Sequence, residues 1–143
     1  MLILHDIPNK EMIADAIAAF PDECCGFLFG EEEGEERIVT AIKIVSNSKQ
    51  GDKRRRFEIA PKDYLAAEQF AAENALTLLG IYHSHPNHPA IPSEHDRVAA
   101  QPYFSYIIIS VINGQWADTR SWRLNEEDQF EEETITDYQL IKN

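Results

Sequence analysis

The apolar run Leu78-Leu79-Gly80-Ile81-Tyr82 leads straight into His83-Ser84-His85-Pro86, and this stretch limits what the chain can become more than any other. It reads as a buried strand. Side chains two apart on a strand point to the same face, so His83 and His85 reach one point in space. Pro86, Asn87, Pro89 and Pro92 then break the strand into a loop, and Ser93-Glu94-His95-Asp96 ahead of Val98 and Ala99 reads as the start of a helix. Such a loop can carry Asp96 back to the histidines.

Two neutral imidazoles and one carboxylate leave the fourth position of a tetrahedral zinc ion open to water, the pattern of a catalytic site. The same residues have a plainer reading. Ser93 and Asp96 stand at capping-box spacing, with Asp in place of the usual Glu or Gln, and would satisfy the first amides of the helix. Capping needs no nearby histidines, so the pair favours a ligand role for Asp96; for Ser93 both roles can hold. A lone histidine is more often a hydrogen-bonded core residue, but His83 and His85 share a face of an apolar strand. His88 and His95 lack such a partner and read as loop and helix-surface residues.

Other metal folds also use a His-x-His pair. The segment from His83 to His88 resembles the His-x-His-x-Asp-His string of metallo-β-lactamases, but Asn87 stands where the aspartate belongs and no histidine follows His95. Barrel amidohydrolases need about 250 residues, more than the 143 present.

His83-Ser84-His85-Pro86, seven residues from His85 to Ser93 and two more to Asp96 together resemble the signature of the JAMM (MPN-plus, or JAB-domain) zinc metalloproteases. Pro21-Asp22-Glu23-Cys24-Cys25-Gly26-Phe27-Leu28-Phe29-Gly30 resembles that family's first strand with its catalytic glutamate. Arg56-Phe57-Glu58-Ile59-Ala60-Pro61 resembles its middle strand. The likeness runs from about the first helix through Val111. Members that have lost the ligands act as scaffolds, whereas every signature position is filled here.

The resemblance implies an α/β (α+β) JAB/MPN-domain, cytidine-deaminase-like architecture, with a single domain over residues 1–143. It implies one zinc per chain on His83, His85 and Asp96, with Glu23 as general base and the Ser93 hydroxyl supporting the developing oxyanion. Outside the matching motif, Glu23 would be an ordinary surface carboxylate, one of 25 Asp and Glu residues. The compact chain is similar to the short prokaryotic members, which act on ubiquitin-like sulfur-carrier proteins ending in Gly-Gly. A peptidase or isopeptidase cutting after such a tail is therefore expected. Two alternatives stay open: a zinc amidase for a small-molecule amide, and a non-catalytic module binding a ubiquitin-like partner.

Cys24 and Cys25 raise a further option, a cysteine nucleophile, but adjacent cysteines in an apolar strand read as small buried residues, and a bridge between neighbours would be strained. Two cysteines without a Cys-x-x-Cys give neither a disulfide framework nor a cysteine-rich zinc site. A reducing cytoplasm is the expected compartment. Met1-Leu2-Ile3-Leu4-His5-Asp6 does not read as a signal peptide, and apolar runs such as 106–109 are too short to cross a bilayer. A net charge of −12 disfavours nucleic acid and anionic membranes as partners. The acidic clusters 31–36 and 126–133 read as a solvated turn and a solvated C-terminal strand. Lys53-Arg54-Arg55-Arg56 breaks the pattern, as a charged hairpin loop or as a substrate-guiding loop at the mouth of the site. The oligomeric state is not legible.

The remaining elements follow from periodicity. Pro8, then Met12, Ile13, Ala16, Ile17 and Phe20, mark a first helix ended by Pro21. Cys25–Gly30 and Arg37–Val45 suggest a hairpin around Gly34, and Pro61–Leu76 a second helix. Tyr106–Ile112, Trp116–Leu124 and Gln129–Thr136 suggest strands, with Asn113-Gly114 as a turn. A mixed sheet flanked by helices is expected.

Overall fold

The structure is a computed structural model and describes residues 1–138. Eight strands, β1 (Leu2–Leu4), β2 (Cys25–Glu33), β3 (Glu36–Val45), β4 (Thr77–Pro86), β5 (Ser105–Ile112), β6 (Gln115–Leu124), β7 (Phe130–Glu133) and β8 (Ile135–Asp137), form one sheet. Three helices accompany them: α1 (Asp6–Ala19), α2 (Pro61–Glu73) and α3 (Glu94–Ala99). The strand order is β7-β6-β5-β4-β2-β3-β1-β8. β4 runs parallel to β5, and β1 runs parallel to both β3 and β8; the remaining pairings are antiparallel, giving the expected mixed sheet.

The helices cover opposite faces. Met12 and Ala16 of α1 join Leu28, Val39, Leu79, Tyr82, Ile107 and Ile109 in one core. Ala67 and Ala71 of α2 join Phe27, Phe29, Ile81 and Tyr106 in the other. In α1 the buried stripe is Pro8, Met12 and Ala16, at i, i+4 spacing, while Ile17 is 41% exposed, so the apolar face is narrower than the sequence suggests.

β4 lies between β2 and β5 and is buried from Leu79 to Pro86. Its register with β2 slips between Leu28 and Phe29, where Leu28 pairs with Gly80 but Phe29 with Leu78. The extra residue breaks the two-residue alternation. Leu79 and Tyr82 consequently both join the α1 core, while Ile81 joins the α2 core. His83 and His85 continue the Ile81 side, so the irregularity sets which layer receives the histidines.

Two expected strands are corrected. Arg56–Pro61 forms no strand: Ser48 N donates to Glu58 O at 2.9 Å, but the Glu58 amide goes to the Asn47 side chain at 3.1 Å. A side-chain oxygen has replaced the backbone acceptor a ladder needs. Gln129–Thr136 is two strands broken at Thr134, with β7 on β6 and β8 on β1. One residue separates β7 from β8 although they end opposite sides of the strand order, so the two edges of the sheet meet there. β1 itself was not anticipated. Asn113 and Gly114 both have positive φ, 52° and 81°, as a tight hairpin turn requires. Among the described residues no helix is long and apolar enough to cross a membrane.

Candidate metal centre

His83 and His85 project from the C-terminal end of β4, beside its parallel neighbour β5, where crossover connections leave room for ligands. The loop after Pro86 turns at Asn87, whose φ is 57°, and Asn87 Oδ1 accepts from Asn113 N at 2.8 Å. It then delivers α3. Ser93 caps that helix in a full capping box: Asp96 N donates to Ser93 Oγ at 3.1 Å, and Ser93 N donates to Asp96 Oδ2 at 2.9 Å. Capping and convergence on the histidines coexist in one oxygen. Asp96 Oδ2 also lies 3.3 Å from His83 Nε2 and 3.1 Å from His85 Nε2, and the two Nε2 atoms are 3.2 Å apart.

These separations test the fit of a metal. Donors about 2.0–2.1 Å from a tetrahedral zinc ion lie about 3.3 Å from one another. The triangle formed by His83, His85 and Asp96 has that edge length, and its chemistry, two imidazoles and a carboxylate, suits the same ion. Burial leaves His83 1% and His85 7% exposed. His85 Nδ1 lies 2.9 Å from Pro89 O, a carbonyl that can only accept, so Nδ1 carries the proton and Nε2 keeps a lone pair for the site. Among the described residues His83 has no partner at Nδ1; its ring is held by stacking on Phe57, with centroids 4.5 Å apart.

Glu23 reaches the same corner from the residues just before β2. Ligand atoms of Glu23, His83 and His85 all lie within 4.8 Å of one another, a group that could hold a metal ion. Glu23 is 5% exposed rather than an ordinary surface carboxylate, and its Oε1 has no hydrogen-bond partner among the described residues. Burial pushes its carboxyl up to about 8, with Asp96 adding to the rise and His85 and Arg56 opposing it. Burial also opposes the charge on Asp96, but His83, His85 and the Ser93 amide hold Asp96 well below the usual carboxylate range. For His85, burial is outweighed by its bonds to Asp96 and Pro89, and its pKa is raised. Burial lowers that of His83.

Behind Glu23 the backbone is fastened. Cys24 N donates to Ser84 Oγ at 2.8 Å, and Ser84 N donates to Cys24 O at 3.2 Å. Glu23 N donates to Lys53 O at 2.7 Å, and Asn47 Nδ2 donates to both Glu23 O and Arg56 O. Sequence reasoning missed Asn47 and the Pro89 carbonyl, neither of which stands in a recognisable motif. Cys24 and Cys25 are free and buried, and burial pushes the Cys24 thiol far up and that of Cys25 to about 12, so neither offers a thiolate. His95 lines a cavity with His83 and Asp96, Arg56 Nη1 lies 3.1 Å from His95 Nδ1, and exposed His88 lines a second cavity with Glu23 and His85.

Comparison with known proteins gives a consistent answer. Residues 9–125 match the family described as prokaryotic homologs of the JAB domain. A desampylase of Pyrococcus furiosus is 28% identical over 86% of this chain and 81% of its own length. A CysO-cysteine peptidase of Mycobacterium tuberculosis is 29% identical over 87% of this chain and 82% of its own. A solution structure from Desulfitobacterium hafniense superposes with a TM-score of 0.84 at 33% identity, covering 96% of this chain and 92% of that one. A JAB1/MPN domain protein of Archaeoglobus fulgidus, 17% identical over 94% of this chain and 96% of its own, shares the fold with a TM-score of 0.59. The chain belongs to the family of prokaryotic JAB-domain homologs.

Proposed function

We propose that this chain is a zinc-dependent peptidase or isopeptidase that hydrolyses the amide bond after the C-terminal Gly-Gly of a ubiquitin-like or sulfur-carrier protein. The observation that carries the reading is the meeting of His83, His85, Asp96 and a buried Glu23, its Oε1 unpartnered among the described residues, in one corner. Relatives named desampylase and CysO-cysteine peptidase support peptide or isopeptide hydrolysis as the reaction class.

His83, His85 and Asp96 would hold the ion. When bound, zinc supplies Lewis acidity toward the scissile carbonyl and acidifies water. Glu23, buried beside the histidines with Oε1 unpartnered among the described residues, is placed to take the proton of the attacking water and return it to the leaving amine. Ser93 uses an Oγ lone pair to cap α3, so its O–H remains free to donate to a developing oxyanion.

A tail has a place to lie. The main-chain groups of Glu58 face Asn47 and Ser48, while those of Phe57 and Ile59 carry no hydrogen bonds among the described residues. Phe57 and Ile59 border the cavity that Tyr64, Ile81, His83 and Tyr106 also line. An extended tail can add to this edge as a strand, and glycines pass where side chains would clash.

The test is intact mass spectrometry of a sulfur carrier bearing a short peptide after Gly-Gly, incubated with zinc-loaded wild type or Glu23→Gln. Loss of only the fused peptide, with wild type alone, is the expected result. Equal cleavage by Glu23→Gln would remove Glu23 from its role, and no cleavage by either would sink the reading.

A further inference from the structure

The loop that follows β4 is held at three consecutive carbonyls, and the middle one meets a histidine ring. Pro89 O accepts from His85 Nδ1 at 2.9 Å. On one side of it His88 O accepts from Ser110 Oγ at 2.6 Å, and on the other Ala90 O accepts from Trp122 Nε1 at 3.0 Å. Ser110 is 2% exposed and is the register partner of His85 across the parallel β4–β5 ladder, so the two side chains stand on one face of the sheet. Its neighbours Ile109 and Val111 turn to the α1 core instead. A hydroxyl is thus buried in an apolar strand at the position beside a metal-site histidine, and the reaction as described uses neither it nor Trp122.

The direction of the Pro89 carbonyl depends on few rotations. Peptide units are planar, and the proline ring fixes φ. What remains is ψ at Pro89, and the two clamps hold the peptide units on either side of it. Proline has no N–H with which to stitch the loop itself, so side chains from β5 and β6 do so. The consequence falls on His85. An imidazole ligand keeps its tautomer and ring orientation through the acceptor at its other nitrogen. Among the described residues His83 has no such acceptor, so the bond to Pro89 O is what fixes a tautomer at this centre.

Resting on the assignment of His85 as a metal ligand, we propose that Ser110 and Trp122 are positioning residues for the metal centre. By clamping His88 O and Ala90 O they aim Pro89 O at His85 Nδ1, which keeps the Nε2 lone pair turned toward the ion.

The experiment measures zinc affinity by chelator competition for wild type, Ser110→Ala and Trp122→Phe. NMR of the zinc-loaded proteins follows exchange of the His85 Nδ1 proton with water, and thermal melts of the metal-free proteins report the fold. Each variant should bind zinc roughly tenfold more weakly, the lower end for a lost outer partner of a ligand, and should exchange the Nδ1 proton faster. A purely structural role would lower the melting temperature and leave affinity and exchange alone. A folded variant that binds zinc within about twofold of wild type removes its residue from the role and leaves the metal centre standing. Trp122→Phe keeps the ring and leaves β5 intact, so it decides the matter if Ser110→Ala does not fold. Wild type that binds no zinc overturns the metal assignment and this inference with it.

Discussion

Glu23 carries a cost that is measurable without any substrate. A carboxyl whose pKa rises on folding binds its proton more tightly in the native state, so native stability falls as pH climbs from the unfolded value of 4.5 through the folded value of about 8. In metal-free protein, Glu23→Gln should match wild type near pH 4.5. Above pH 8 it should be more stable by roughly 2–4 kcal/mol. Urea titrations across that range read the difference directly, and a gap that does not change with pH would show that burial is not holding the carboxyl neutral. The residues of this corner were unequally legible. His83, His85, Ser93 and Asp96 follow from strand period and cap spacing, which are local rules. Glu23 was found only by resemblance, because nothing in a run of acidic and apolar residues foretells which carboxylate the fold will bury. Asn47 and the Pro89 carbonyl act through loop geometry, which leaves no pattern.

Among the elements, β4 is the most constrained, because it carries the histidines between two neighbours. A Cβ added at Gly80 would lie 1.9 Å from Ser105 O and 2.8 Å from Ser105 N, both backbone atoms that cannot swing away. Gly80→Ala should therefore push β4 from β5 and destabilise by more than about 3 kcal/mol, the upper range for overpacking. A melting temperature within 2–3 °C of wild type, a shift of well under about 1 kcal/mol for a chain of this size, would contradict this. Of the strands that sequence placed well, β2, β4 and β5 have long buried runs, while β3 and β6 are mostly half-buried or exposed and are marked by the turns at Gly34 and Asn113-Gly114. The failures share a cause. Arg56–Pro61 has strand-like residues, yet its neighbour offers an Asn side chain instead of a ladder, and Gln129–Thr136 is divided at Thr134 by the need to serve two sheet edges. Local pattern does not encode which partner a strand finds.

Across the whole molecule, Arg37 ties the sheet together from inside. It is 1% exposed, donates to Leu79 O at 2.9 Å, Ser105 Oγ at 3.2 Å and Tyr103 O at 2.6 Å, and sits 4.5 Å from the Tyr103 ring centroid. Glu133 of β7 accepts from Ser105 and Ser121 nearby. Arg37→Ala strips donors from buried carbonyls and opens a cavity, so a loss on the order of 3–5 kcal/mol is expected. Arg37→Met, which fills the space without the charge, should lose less. Denaturant midpoints decide, and equal losses would mean that volume plays no part. The meeting of the sheet edges at Thr134 bears on the order of events during synthesis. β1 is made well before its outer partner β8, which pairs Ile135 with Leu2, so its flank stays bare until β8 has emerged. A contact spanning so much sequence is slow to close. Until it does, the bare flank of β1 is a template on which a second nascent chain can pair, so the arrival of β8 decides between a monomer and an aggregate.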